Sequence, residues 1–327
     1  MVSYRKTRIV CVSDTHGYLP QEAGFSLPPG DVLIHAGDLT NTGTLAELQR
    51  TIQWIKDANY EAKIVVAGNH DVTLDPEFYA EHGSCFHKKL ENPAKCIDIL
   101  KSENDSILFL SHESAVVKLS RPEGPRTAFK VFGSPFSRFS GRWAFGYDTA
   151  EEGDRLWSQI SPDADIVVTH TPPFGYCDRH HPDDEQEDST SSGCKQLLDT
   201  LRNIRPMLSI CGHVHESRGY ERVLWNGDSG AVSLAKEPLP PINSKKQSLV
   251  DLTGKRQPAI LNTGGIGTFE EGHAVQDAEA IQRLRQETCV VNAAIMAKSW
   301  PHAGGKQFNR PIVVDVNLPV WDEDGEQ

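Results

Sequence analysis

Seven metal-binding side chains in this sequence stand just beyond short apolar runs. Ile9-Val10-Cys11-Val12 leads to Asp14 and His16, and Val32-Leu33-Ile34-His35-Ala36 leads to Asp38. Ile64-Val65-Val66-Ala67 leads to Asn69, with His70 next to it. Ile166-Val167-Val168-Thr169 ends on His170, and Leu208-Ser209-Ile210-Cys211 leads to His213 and His215. One Asp-x-His triplet is weak evidence, because a strand end followed by a polar turn gives the same letters. Five such endings, most of them beside a glycine, are not readily supplied by chance. Carboxylate and imidazole together suit a divalent transition metal. Seven such groups exceed the roughly four to six positions of one ion. Two ions sharing the Asp38 carboxylate can use them all. Oxygen and nitrogen ligands without thiolate fit Mn, Fe or Zn better than Ca or a cysteine-bound structural zinc. Paired ions about 3.5–4 Å apart are the usual device for in-line displacement at phosphorus, and they generate hydroxide near neutral pH.

Positioning these groups requires strands whose carboxyl ends gather at one place, as in open α/β sheets. On the first strand Thr15 then points away from Asp14 and His16. Leu45, Leu48, Ile52 and Ile55 have helical spacing within 44–59, where Thr44 and Glu47 make a capping box. A strand–helix–strand order of this length is a βαβ unit, so the first strands are parallel. Helices are expected at 75–83, 149–160, 194–204 and 277–287. Strands are expected within 106–119 and at 129–135, 259–265 and 311–316. The last is expected at a sheet edge because Pro311 leads it. The acidic, serine-rich stretch 182–193 reads as a mobile loop. Residues 236–258, rich in Pro, Ser and Lys, read as an exposed insertion. With no internal repeat and strand-like runs from end to end, 1–327 reads as one decorated domain.

Composition narrows the function. The chain has 327 residues, with 33 Lys and Arg against 45 Asp and Glu, for a formal net charge of -12. Without a basic stripe, such a surface makes nucleic acid a poor partner. The 7 cysteines include no C-x-x-C pair, which suits a reduced, cytoplasmic protein. The first residues carry no apolar signal-peptide core, and no run reaches the roughly 18 apolar residues of a membrane span.

Asp14-Thr15-His16, Gly37-Asp38, Gly68-Asn69-His70-Asp71, Thr169-His170 and Gly212-His213-Val214-His215 resemble the full motif set of the calcineurin-like metallophosphoesterases. The resemblance implies a four-layer α/β/β/α sandwich and two divalent metal ions. Asp14, His16, Asp38 and His215 would hold the first ion; Asp38, Asn69, His170 and His213 would hold the second. His70 would be the acid near the leaving group, and Asn69 would also steady the phosphate oxygens. Gly133-Ser134-Pro135, Thr171-Pro172-Pro173, Gly193-Cys194, Val291-Asn292-Ala293 and 309–315 are similar to the metallophosphoesterase-domain-containing (MPPED) branch. That branch implies cyclic nucleotide phosphodiesterase activity. Some of its members lose the histidine at the His213 position; this chain keeps it. The serine/threonine protein phosphatases continue the second motif with Asp-Arg-Gly, whereas here Leu39-Thr40-Asn41 follows Asp38.

The expected reaction is hydrolysis of a small phosphodiester such as a cyclic nucleotide, by a hydroxide bridging two ions. The competing classes are a non-catalytic metal- or nucleotide-binding regulator, and a phosphomonoesterase or nuclease of the same superfamily. His35 reads as a core histidine and His180-His181 as solvated; His112 fits either role. Arg138 reads as phosphate contact or surface arginine, and Trp143 and Phe145 as core packing before base stacking.

Overall fold

The computed structural model describes residues 3–101, 107–138, 143–178, 191–226, 231–237, 247–265, 284–302 and 305–321. Its elements begin with β1 (Tyr4–Val12), β2 (Val32–Ala36), α1 (Leu45–Asp57), β3 (Ala62–Val66), α2 (Pro76–Phe86), α3 (Pro93–Leu100) and β4 (Ile107–Phe109). Next come β5 (Glu113–Lys118), β6 (Ala128–Ser134), β7 (Ser137–Arg138), β8 (Gly146–Tyr147), α4 (Ala150–Trp157) and β9 (Ile166–Thr169). The remainder are α5 (Lys195–Ile204), β10 (Leu208–Cys211), β11 (Gly219–Trp225), β12 (Ala231–Lys236), β13 (Ser248–Asp251), β14 (Glu287–Asn292) and β15 (Ile312–Pro319).

Two sheets carry the fold, in strand orders β13-β15-β1-β2-β3-β4 and β12-β11-β14-β10-β9-β6-β5. Side chains alternate between two dry surfaces along each central strand. In β1, Ile9 and Cys11 meet the other sheet, alongside Ile34, Ile64, Val168 and Ile210. Val10 and Val12 face the opposite way, into a layer with Leu48, Ile52 and Ile55 of α1 and with Leu100 of α3. On the second sheet, Phe132, Val167 and Val290 pack against Trp157 of α4 and Leu197 and Leu201 of α5. The three separate cores are the three interfaces of an α/β/β/α sandwich. Both faces of each central strand are covered, so the strands read as unbroken apolar runs rather than alternating ones.

Strands β1, β2 and β3 are parallel in adjacent order, as are β9 and β10. The capping box of α1 is present: Thr44 Oγ1 accepts from Glu47 N–H at 3.2 Å, and Glu47 Oε2 accepts from Thr44 N–H at 3.1 Å. Asp75, Thr149 and Cys194 cap α2, α4 and α5.

Three expectations are corrected, and a fourth falls mostly outside the described residues. β15 is not an edge strand: it lies between antiparallel β1 and parallel β13. Pairing begins at Ile312, so the missing N–H of Pro311 falls outside the ladder and costs nothing there. Part of the segment expected to be an exposed insertion is β13, where Val250 is fully buried; residues 238–246 lie outside the described residues. Residues 259–265 form no strand, only an isolated bridge between Asn262 and Arg285. The helix expected at 277–287 falls mostly outside the described residues, and its last residue, Glu287, opens β14. His180-His181 and 182–190 also lie outside them.

Arg285 and Asp165 are both fully buried and paired at 3.0 Å. Asp165 also accepts from Lys130 N–H at 2.9 Å, which fixes the chain just before β9. Arg285→Ala would leave that carboxylate buried without its cation, a loss of about 3–5 kcal/mol. Urea unfolding measures it; a loss below about 1 kcal/mol would show that the pair does not hold β9.

Candidate metal centre

The carboxyl ends of β1, β2 and β3 meet those of β9 and β10 at one edge of the sandwich. Backbone bonds continue past the strands. Asp14 N–H donates to Gly37 O at 2.9 Å, and His16 N–H to Asp38 O at 3.0 Å. From the other sheet, Gly212 N–H reaches His170 O at 3.1 Å. A seam then crosses between the sheets: Ala293 N–H donates to Cys211 O, and Ile295 N–H to Ser13 O, both at 2.8 Å.

Four of the seven sequence-nominated groups, Asp14, His16, Asp38 and His215, present ligand atoms within 4.8 Å of one another, all buried. His215 Nε2 lies 3.3 Å from Asp14 Oδ1 and 3.2 Å from His16 Nε2. His16 Nε2 lies 3.7 Å from Asp38 Oδ2. The other Asp38 oxygen faces a second convergence. Asp38 Oδ1 is 3.4 Å from His170 Nε2, which is 3.0 Å from Asn69 Oδ1 and 3.3 Å from His213 Nδ1. Asn69 Oδ1 and His213 Nδ1 are 2.9 Å apart. All seven nominated residues thus come together in two groups that share Asp38.

The chemistry of this donor set fits cations. His170 Nδ1 donates to the Ala36 carbonyl at 3.0 Å, which aims Nε2 into the cluster. Lone-pair atoms face one another across both groups, an arrangement that a cation resolves. Burial alone would raise the Asp14 carboxyl, but the His215 hydrogen bond and charge hold it down at about 2. Asp38 lies well below the usual carboxylate range, because His170 and His70 outweigh its burial. Burial pushes His16 and His213 down to about 3, which favours the neutral imidazole that binds metals. His215 and His170 go the other way, to about 9: burial opposes this, but Asp14 and Asp38 respectively outweigh it. Each group therefore draws one positive charge to its carboxylate.

The backbone is bent to achieve this. Asp14, His16, Asp38 and His213 all have left-handed φ, at 52°, 45°, 53° and 69°. Non-glycine residues seldom adopt this region, and such strain persists where the surroundings over-determine it. Two glycines yield space to a ligand from another strand. A Cβ on Gly68 would sit 2.3 Å from Asp38 Oδ1, and one on Gly212 would sit 2.2 Å from Asp14 Oδ2.

His70 stands beside the cluster rather than in it. Its ring meets His16 edge-on at 4.7 Å and lies on Trp143 at 4.0 Å. Its Nδ1 donates to the Asn41 carbonyl at 2.8 Å, which leaves Nε2 for a substrate. Trp143 is half-buried, and its contact with His70 goes beyond the packing expected of it; Phe145 is buried core, as expected. His35 is a core histidine, 2.9 Å from Thr15 Oγ1. His112 is half-buried among Phe132, Phe136 and Trp157. Arg138 is exposed.

Sequence reasoning passed over two residues that hold the ligand turns. Buried Asp71 accepts from Gly68 N–H (2.8 Å), Leu39 N–H (3.1 Å), Thr40 N–H (2.9 Å) and Thr40 Oγ1 (2.7 Å). It ties the Asp38 turn to the Asn69 turn. Asn292 Nδ2 donates to Gly212 O at 3.3 Å and Val214 O at 2.9 Å, which fixes the His213 turn. Asp71 closes the Gly68-Asn69-His70-Asp71 motif, and its place two residues after Asn69 is the available signal.

This fold and cluster are of the metallophosphoesterase type. The family model described as calcineurin-like phosphoesterase matches residues 7–217, and the chain belongs to that family. It is 35% identical over 215 residues to Metallophosphoesterase domain-containing protein 1 of Homo sapiens, covering 65% of this chain and 62% of that protein. A UPF0046 protein of Caenorhabditis elegans is 32% identical over 229 residues, covering 70% of this chain and 69% of that one. A protein of Emericella nidulans named "Probable rhamnogalacturonate lyase C" is 36% identical over 221 residues, 67% of this chain but 18% of that protein. The chain thus spans less than two thirds of the fungal and human relatives.

Gly68→Ala should displace Asp38 and lower the metal content without unfolding the chain. Asp71→Ala strands three backbone donors and should lose about 2–4 kcal/mol together with metal affinity. Elemental analysis after gel filtration, paired with thermal melting, checks both; full metal loading in Gly68→Ala would refute the close-approach account.

Proposed function

We propose that this chain is a binuclear metal-dependent phosphodiesterase acting on small phosphodiesters such as cyclic nucleotides. The observation that carries this reading is the convergence of seven candidate ligands into two groups that share Asp38. In it, Asp14, His16, Asp38 and His215 hold one divalent ion; Asp38, Asn69, His170 and His213 hold the other. Bound there, Mn, Fe or Zn would supply an activated water and neutralise the phosphate oxygens.

The chain's own groups do the rest. Asn69 serves the phosphate as well as the metal, since the Nδ2 donor of its amide remains for an equatorial oxygen. His70 is the acid. The Asn41 carbonyl holds its Nδ1–H, so its Nε2 is the nitrogen that delivers a proton to the departing alkoxide. The half-buried Trp143 under its ring fixes its direction. A small substrate agrees with the net charge of -12, which gives a polyanion no basic track. All seven cysteines are free thiols, which supports a cytoplasmic setting. Among the described residues, no helix is long and apolar enough to cross a membrane.

His70→Ala should keep its metal and lose about a hundredfold or more in rate with alkyl leaving groups, but far less with p-nitrophenyl esters. Equal loss on both would remove the acid role. Asp38→Asn should lower the metal content below two ions per chain. Chelator-treated protein given Mn, Mg or Zn separately should cleave bis(p-nitrophenyl) phosphate in preference to p-nitrophenyl phosphate. Preference for the monoester would make the protein a phosphatase, and no turnover with metal bound would make it a binding protein.

A further inference from the structure

Trp300 is the most exposed large apolar side chain among the described residues, at 84%. A tryptophan so exposed buries too little area to help folding. Yet the chain around it is held firmly. Ser299 N–H and Oγ donate to the two Glu216 carboxylate oxygens at 2.6 and 3.1 Å, and Glu216 is the residue after His215. His302 N–H donates to Ser299 O at 3.0 Å, and His302 Nδ1 to Lys298 O at 2.9 Å, closing a tight turn with Trp300 at its tip. The Trp300 ring meets His302 edge-on at 6.0 Å.

The returning arm is anchored to the other side of the same metal group. Lys306 Nζ lies over the Tyr18 ring at 4.8 Å, and Phe308 packs on that ring at 5.0 Å. Tyr18 is two residues after His16. At the base of the loop, Met296 N–H donates to Asp14 O at 3.2 Å. The described part of the loop is therefore fastened to the turns that carry Asp14, His16 and His215.

We infer that this loop is the specificity element of the site, and that Trp300 supplies a stacking face for a flat aromatic group on the phosphoester, such as a nucleobase. This rests on the phosphoesterase reading above. A rigid indole held beside a phosphate-binding centre can recognise the ester's aromatic part without contacting the phosphate. Lys306, on the same loop, puts a positive charge over Tyr18, two residues after His16, in a chain that is otherwise strongly acidic. Alanine substitution of one stacking aromatic ordinarily weakens nucleotide binding roughly fivefold to a hundredfold.

The test is calorimetric titration of the Mn-loaded full chain with AMP and with ribose 5-phosphate, which differ only in the base. Wild-type protein should bind AMP about tenfold tighter. Trp300→Ala should bring the two within about twofold, with the melting temperature and Mn content unchanged. Trp300→Phe should keep part of the preference. Equal binding of AMP and ribose 5-phosphate by the wild type, or a preference that survives Trp300→Ala, would overturn the inference. Hydrolysis of bis(p-nitrophenyl) phosphate, run alongside, separates the two claims. Turnover with no base preference sinks the Trp300 assignment alone, while no turnover and no binding of either ligand sinks both.

Discussion

Two carboxylates, Asp14 and Asp38, are buried where the ends of two sheets meet. A buried carboxylate needs a positive partner, or it takes a proton. Among the described residues no arginine or lysine fills that place; the groups around them are imidazoles and an amide. Histidine at His170 and His215 meets the demand with protons, and a divalent cation would meet it better because it faces several lone pairs at once. The site is in this sense a charge that the fold is built to receive. Much else in the structure follows from holding these groups close together.

Holding them costs backbone energy. Four candidate ligands sit in left-handed conformations, each disfavoured by about 1–3 kcal/mol. The scaffold bears this through its three dry cores, which hold the strands beneath rigid, and through buried hydrogen-bond acceptors placed at the turns. Asp71 collects four donors from two turns, and Asn292 joins the second sheet's ligand turn to the seam that crosses to the first. Burial and the charge of Asp38 push Asp71 up to about 7, so its hydrogen bonds are formed against an electrostatic cost imposed by the ligand it positions.

Around this centre the chain shows two kinds of surface. On one side His70 is backed by Trp143 and anchored to a main-chain carbonyl, an arrangement that leaves its Nε2 facing outward from that anchor, as the proposed acid requires. On the other, the loop of Trp300 is fastened to the first metal group by a carboxylate and a cation–π contact. Chemistry and recognition thus approach the same cluster from different parts of the sequence. The second sheet's strand β14 leads into the recognition loop, so the seam between sheets also connects the two.

The sequence alone nominated the candidate ligands, because metal binding restricts residue type so tightly that Asp, Asn and His at five strand ends leave few alternatives. It also determined the central strands and the capped helices, since continuous apolar runs and Thr–Glu capping pairs are local signals. Short-range pattern could not say how strands far apart in sequence pair. β15 became an inner strand because Pro311 falls just outside its ladder, and β13 rose from a stretch whose Pro, Ser and Lys looked like an excursion. Nor could it assign Asp71, Asn292 or Trp300. Asp71 and Asn292 act by the donors around them, and Trp300 by where its loop is fastened. Those are relations between distant segments, which exist only once the two sheets have packed and brought the turns of His16 and His215 together with residues 296–302 and 305–308.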